Sequence, residues 1–221
     1  MSPDPRSCQT AHLFPWWRAS VVQFRSIGDV ERCPHCSVAT PLFAIHWKDQ
    51  TPSTAGNRQI WAFGSCVRCG KGICIGSYDN YDVNYDDPAE VFPRPKRAHD
   101  DIPQTARTFL QQAYDTLHSP DAASVMAGSA VDAMLKHLGY IEGSVYNRID
   151  AALSANIITK GMADWAHAVR LGANRPRHAD IEAPHTSASE AQNSVDFAEA
   201  LANFLFVLSA KVDRGIVAAT A

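Results

Sequence analysis

The chain has 221 residues, of which 46% are hydrophobic and 19% charged, so its length and composition suit one large or two small globular domains. Its formal net charge of −3 excludes a protein that coats nucleic acid through bulk positive charge, although a local basic patch is compatible with it. No stretch approaches the roughly 18 consecutive apolar residues of a membrane span, and the N-terminus lacks the pattern of a secretory signal. We therefore expect a cytoplasmic protein with no membrane partner.

Residues 1–29 form the predicted N-terminal arm. The segment opens with prolines and then carries the aromatic run Phe14-Pro15-Trp16-Trp17, without the regular apolar spacing of a helix or strand. Burial of such large aromatic side chains is strongly stabilising. We expect them to pack on the helical domain or on a second subunit.

Residues 30–78 predict a small β domain. Short apolar runs alternate there with turn residues, which is the pattern of short strands joined by tight turns. The apolar runs cover residues 41–47, 59–63 and 73–77, and the turns fall at Gly56-Asn57 and Gly70-Lys71-Gly72.

Four cysteines in this β domain have the spacing of metal ligands. They form two Cys-x-x-Cys pairs, Cys33 with Cys36 and Cys66 with Cys69. Two thiolates at this spacing reach one tetrahedral ion across a tight turn, and two such pairs fill its four positions, so the pattern predicts a structural Zn²⁺ in a zinc ribbon. The alternatives are a redox pair or buried thiols. His35, inside the first pair, is a substitute ligand that four cysteines make unnecessary.

Residues 79–102 are predicted to be a linker, because they combine acidic and then basic residues with several prolines and show no apolar period. From residue 103 to 215 apolar residues recur at steps of three and four, which indicates about five helices in an up-and-down bundle. The predicted fold class is α+β, with a small N-terminal β zinc ribbon followed by an all-α bundle.

The first predicted helix begins at Pro103 and ends near Leu117. The second begins at Pro120 and ends before Gly139, since glycine commonly follows the last helical residue. A shorter third helix covers residues 146–153.

The fourth predicted helix begins near Thr159 and ends at Gly172. Its predicted buried stripe consists of Met162, Trp165, Ala166 and Val169. The last helix begins at the capping-box pattern of residues 187–190 and continues towards Gly215. Its predicted buried stripe consists of Val195, Ala198, Leu201, Leu205 and Leu208.

The most unusual polar cluster follows the apolar part of the fourth helix. It consists of Arg170, Asn174, Arg175, Arg177 and His178. One interpretation is a site that contacts phosphate, because arginine and histidine suit phosphate binding and proton transfer. The other is structural.

In the structural interpretation, Arg170 pairs with a carboxylate such as Asp132 or Asp180, Asn174 caps the helix, and His178 bonds a buried carbonyl. His167, one turn before Arg170, fits either arrangement.

The order of these features resembles a bacterial family of domains of unknown function grouped with the HEPN superfamily of helical bundles, whose members accompany restriction and other defence genes. The resemblance rests on the zinc ribbon, on Asp101-Ile102-Pro103, on a helix ending near Tyr114 and on the segment from Arg170 to His178. It covers residues 30 to 210.

The resemblance implies a metal-independent endoribonuclease whose site combines an arginine and a histidine from each subunit of a homodimer. Arg170 would then stabilise the phosphate, His178 would act as acid or base, and Asn174 would position the substrate. Arg175 and Arg177 would contact the nucleic-acid backbone, and a restriction or defence protein would be the partner. Seven residues separate Arg170 from His178, more than in active members of the superfamily.

Three functions stay open at this point. The first is a ribonuclease, the second a non-catalytic module that binds RNA, DNA or nucleotides, and the third a zinc-stabilised protein-interaction scaffold. No convincing glycine-rich phosphate loop, paired-carboxylate metal centre or Ser-His-Asp pattern occurs, so common kinases and hydrolases are not indicated.

Overall fold

A computed structural model describes residues 20–22, 31–52, 58–78, 90–178 and 185–220. Within these ranges the side chains of residues 20–22, 52, 58, 77, 78, 175, 177 and 178 are not described. Most of the predicted arm and residues 79–89 of the predicted linker lie outside the described residues. The described chain is an antiparallel sheet followed by helices, so the α+β class is confirmed.

Within the described ranges the sheet has five strands in the order β1-β2-β3-β4-β5, and every neighbouring pair is antiparallel. The strands are β1 Ser20–Val22, β2 Phe43–Pro52, β3 Arg58–Cys66, β4 Gly72–Tyr78 and β5 Glu90–Phe92. The three predicted apolar runs correspond to β2, β3 and β4. The short edge strands β1 and β5 lie in segments predicted as arm and linker, where three residues give no detectable period.

One face of the sheet forms a small core. Residues alternate between the two faces of a strand, and the buried positions of β2 to β5 fall on the same side. They are Phe43, Ile60, Ala62, Ile73, Ile75 and Val91. Cys33 and Cys66 belong to this core, so the cysteine cluster lies beside it.

Six α-helices follow the sheet in the described part of the chain. They are α1 Gln104–Asp115, α2 Pro120–His137, α3 Val145–Ser154, α4 Lys160–His178, α5 Ala188–Ala202 and α6 Leu208–Thr220, with a π-helical turn at Asn203–Val207 between the last two. The capping box is confirmed, because Ser187 and Glu190 exchange side-chain-to-backbone hydrogen bonds. Gly139 follows the end of α2 with φ of +94°, as predicted for a helix stop.

Helix α2 lies at the centre of the helical core and packs against α1, α3, α4 and α5. Its buried alanines at 123, 127 and 130 allow close approach of these neighbours. None of the described helices is long and apolar enough to span a membrane.

The predicted end of the fourth helix at Gly172 is wrong, because α4 continues to His178 with Pro176 inside it. Ala173 is buried, and a Cβ at Gly128 of α2 would lie 3.0 Å from the Ala173 Cβ. This close packing against α2 stabilises the helical conformation of α4 after Gly172. Trp165, predicted as buried, is 42% exposed and lies against Phe197 with ring centroids 4.9 Å apart.

The last helix also differs from its predicted form. The predicted burial is confirmed for Val195, Ala198 and Leu201, and Leu205 is partly buried. Leu208 is 53% exposed, because the π-helical turn precedes it and α6 packs on none of the other described helices and strands.

Candidate metal centre and helical cleft

The four cysteines of the two pairs come together beside the sheet. Their sulfur atoms all lie within 4.8 Å of one another, and the cysteines are free thiols rather than disulfides. Cys33 and Cys36 come from the turn before β2, while Cys66 ends β3 and Cys69 lies in the turn to β4. Four sulfur donors at this separation can hold one metal ion.

The two cysteine turns share one backbone geometry. In each turn, the carbonyl of the first cysteine accepts a hydrogen bond from the residue four positions later, from Ser37 to Cys33 at 2.9 Å and from Gly70 to Cys66 at 2.8 Å. The donor residue has left-handed backbone in both, with φ of 56° at Ser37 and 72° at Gly70. This repeated geometry aims both sulfurs of each pair at a common point.

The thiols differ in acidity. Burial raises the pKa of Cys33 and of Cys69. Burial also acts on Cys66, but backbone N–H groups of Cys69 and Arg68 stabilise its thiolate and the net effect lowers its pKa. Metal binding at this site therefore releases thiol protons, so that affinity rises with pH.

His35 is not a ligand in this arrangement. Its Nε2 lies 2.8 Å from the carbonyl oxygen of Gly72, so the ring ties the first cysteine turn to the start of β4. The four sulfurs are sufficient for a closed tetrahedral site, which leaves no open position for a substrate.

A second feature is a cleft of about 730 Å³ in the helical part, between α1, α2, α4 and the start of α3. Its volume lies in the usual range of ligand sites, and an apolar floor combines with a few polar groups. The polar side chains at its wall are Gln104, Thr105, Ser129, Asp132, Lys136, His137, Arg170 and Asn174.

Arg170 lies in the wall of this cleft. Its Nε atom is buried and has no hydrogen-bond partner among the described residues. Its guanidinium carbon lies 5.5 Å from the centre of the Tyr146 ring, a cation–π contact that holds the side chain in place without neutralising it.

The ion pair considered between Arg170 and Asp132 does not form. The Asp132 carboxylate instead binds Arg148 at 2.6 Å and Lys136 at 2.7 Å. Asp180, the other carboxylate considered, lies outside the described residues. Among the described residues, the Nε of Arg170 therefore has no hydrogen-bond partner.

Asn174 lies one helical turn after Arg170, on the same face of α4, and is not a cap because the helix continues past it. The backbone of Arg175, Arg177 and His178 belongs to the same helix, and their side chains lie outside the described residues. His178 follows Arg170 by eight residues, which is about 12 Å along a helix axis.

Some residues near Arg170 were not singled out as site residues from the sequence. Lys136 and His137, at the end of α2, line the cleft, and only tertiary packing brings them opposite α4. His167 binds Asp150 with 3.0 Å between Nε2 and the carboxylate, and its ring lies on Tyr146 with centroids 4.5 Å apart. Its other ring nitrogen is buried without a partner among the described residues, so His167 supports the wall and does not open into the cleft.

Comparison with protein families finds a match, which lies in the helical part. Residues 111–217 match DUF4145, a domain of unknown function. The DUF4145 domain begins inside α1, ends inside α6 and contains Arg170 to His178, while the cysteine ribbon precedes it. No curated protein and no solved structure matches the chain. A domain of unknown function, as the resemblance suggested, is therefore found at residues 111–217, and its relationship to the HEPN superfamily stays a prediction.

Proposed function

We propose that this chain is a HEPN-like, nucleic-acid-associated protein whose helix α4 contacts phosphates at the rim of the cleft. The observation that carries the proposal is Arg170, whose buried Nε has no partner among the described residues while the adjacent Asp132 is engaged by Arg148 and Lys136. A guanidinium that is held by an aromatic ring and has no counter-ion among the described residues suits a phosphate oxygen.

The charge along α4 supports the same proposal. From residue 170 to its end at residue 178, the helix carries three arginines and one histidine and no acidic residue. The net charge of the chain is −3, so this concentration of positive charge is local. Local positive charge on one helix favours contacts to a few phosphates rather than the coating of a long duplex.

Endoribonuclease activity is the second candidate. The residue types at Arg170 and His178 suit RNA cleavage, but about 12 Å of helix axis separates the two positions in one chain. Cleavage would therefore use a homodimer, in which residues of two subunits converge on one phosphate. A bacterial restriction or defence protein as partner, and a role in the cytoplasm, belong to this same proposal.

Zinc is the proposed metal of the cysteine cluster, with a structural role. Four sulfur donors and no open position are the arrangement of structural zinc sites. Metal analysis of the purified protein should find about one zinc per chain, and a Cys66→Ser variant should retain much less.

Binding is tested by fluorescence anisotropy with a labelled single-stranded RNA at several salt concentrations. We expect Arg170→Gln to weaken binding about tenfold and to reduce the salt dependence by about one phosphate contact. Lys160→Gln is the matched control, because Lys160 is an exposed cation at the other end of the same helix. Equal affinities of wild type and Arg170→Gln would contradict the proposed phosphate contact.

Catalysis is tested by incubating the zinc-loaded protein with mixed RNA in excess of a chelator of Mg²⁺ that leaves the cysteine-bound metal in place. If the endoribonuclease proposal is right, wild type cleaves RNA and His178→Ala binds it without cleavage. Binding without cleavage by either protein would favour the non-catalytic module.

A further inference from the structure

The exposed face of the sheet carries a row of aromatic side chains, here called the aromatic face and defined by Trp47, Trp61, Phe63 and Phe92. Cross-strand partners lie on the same face of a sheet. Trp47 pairs with Phe63, Phe63 with Cys74, and Cys74 with Phe92, so these side chains form one line across four strands. Trp61 lies in the adjacent line.

The rings of the aromatic face lie against the sheet because two glycines face them. A Cβ at Gly76 would lie 2.8 Å from the Trp61 ring, and one at Gly72 would lie 3.0 Å from the Phe63 ring. The rings of Trp61 and Phe92 have centroids 6.3 Å apart. The result is a flat aromatic surface across the middle of the sheet.

Three of these rings are about half exposed in the described chain, Trp47 at 50%, Phe63 at 48% and Phe92 at 44%. Several exposed aromatic rings on one continuous surface usually mark a place where another segment or molecule binds. The chain contains a second aromatic group suited to cover it, Phe14, Trp16 and Trp17 of the N-terminal arm.

We propose that residues 14–18 of the N-terminal arm pack on the aromatic face. β1 is antiparallel to β2 with Ser20 opposite Ile45, so the N-terminal end of β1 is the end nearer to Trp47. Trp17 is three residues before Ser20 and therefore lies within about 11 Å of it. Trp47 is two residues beyond Ile45, or about 7 Å along the strand, so residues 14–18 are close enough in the chain to reach the aromatic face.

Charge and ring chemistry fit this contact. Asp49 lies beside Trp61 on the aromatic face, where the register pairs the two residues, and Arg18 adjoins the two tryptophans of the arm. Tryptophan and phenylalanine rings pack favourably in offset or edge-to-face geometry. The proposed contact would shield Cys74, which lies between Phe63 and Phe92.

Cys74 provides the test. Cys8→Ser leaves Cys74 as the one cysteine outside the four-cysteine cluster, and in the metal-loaded protein its reaction with a thiol reagent reports how well the face is covered. We expect Trp16→Ala/Trp17→Ala in this background to react several-fold faster than the parent. Arg6→Ala, in the arm but outside the aromatic run, is the control and should react like the parent.

Adding Cys74→Ser to the double tryptophan variant should abolish the fast reaction, and zinc content should stay constant throughout. Equal rates in the parent and in the double tryptophan variant would overturn the proposal. It would also be overturned if protection of the parent declined on dilution, since a second copy of the chain would then be the cover.

Discussion

The residue after each cysteine pair adopts left-handed backbone, and the two turns fill this position differently. Gly70 occupies it in the second turn and Ser37 in the first, although their hydrogen bonds correspond. Glycine adopts positive φ without steric cost, whereas a residue with a Cβ is strained there by about 1 kcal/mol. The first turn therefore stores strain that the second does not.

Substitution at these two positions should have opposite effects. We expect Gly70→Ala to lower the free energy of unfolding of the metal-bound ribbon by about 1 kcal/mol, and Ser37→Gly to leave it unchanged or raise it by up to about 1 kcal/mol. Nothing lies within 4 Å of a Cβ at Gly70, so its loss would be conformational. Thermal unfolding of the two variants with saturating zinc measures both effects, and a stabilising Gly70→Ala would refute the argument.

At the scale of elements, one carboxylate joins α2 to the chain entering α5. Asp121, in the first turn of α2, accepts hydrogen bonds from the Thr186 backbone N–H at 2.6 Å and from His185 Nδ1 at 2.8 Å. The Thr186 N–H, followed by His185, lowers the pKa of this carboxyl. The ionised form thus holds the start of α5 against α2.

The stability contributed by Asp121 should depend on pH in a defined direction. Its folded pKa is below the unfolded value of about 3.9, so the contribution is complete above that pH and is lost as pH falls through the folded pKa. We expect Asp121→Asn to lower the urea midpoint near pH 6, with the difference from wild type shrinking towards pH 2. A difference that stays constant across this range would show that ionisation of Asp121 is not responsible.

The elements also show what local sequence patterns can predict. The spacing of the cysteines and the Ser187/Glu190 capping box are local, and both appear in the structure as predicted. The end of α4 was misjudged because the cost of Gly172 in a helix, about 1 kcal/mol, is outweighed by burial of Ala173 against α2. Whether burial outweighs the cost of a glycine depends on contacts between elements, which a local sequence pattern does not contain.

The candidate cleft was only partly predictable for the same reason. Arg170 and Asn174 stand out in the sequence because they lie in one polar cluster. Lys136, His137 and Gln104 belong to other helices, and nothing in their local sequence indicates that they face the same space. The pairing of Asp132 with Arg148, which leaves Arg170 free of it, likewise depends on how α2 and α3 meet.

At the scale of the molecule, the described residues form two separate cores, one on one face of the sheet and one among the helices. Polar contacts connect the two parts. Arg32, just before the first cysteine turn, binds the backbone carbonyls of Ser37 and of Asp115 at the end of α1. Lys96, after β5, pairs with Glu199 of α5 at 2.7 Å. The four-cysteine cluster belongs to the small sheet core, whereas the helical core contains none of these cysteines.

Metal removal should therefore unfold one part of the protein and spare the other. We expect Cys33→Ser, or a strong zinc chelator, to abolish the ordered ribbon while most of the helical circular dichroism persists. Cys74→Ser is the matched control, since Cys74 is outside the cluster and should leave zinc content unchanged. Complete loss of the helical circular dichroism signal on chelation would show that the helical core does not stay folded without the ribbon.

The π-helical turn at Asn203–Val207 sets the phase of the C-terminal helix. In an uninterrupted α-helix the buried stripe of α5 would continue through Leu208 and Val212, yet both are at least half exposed, as is Ile216. A π turn accommodates one extra residue, which rotates everything after it by about 100°. Deleting a single residue from this turn would rotate α6 by about 100° relative to α5, so one position of chain length determines the direction in which the apolar edge of the terminal helix points.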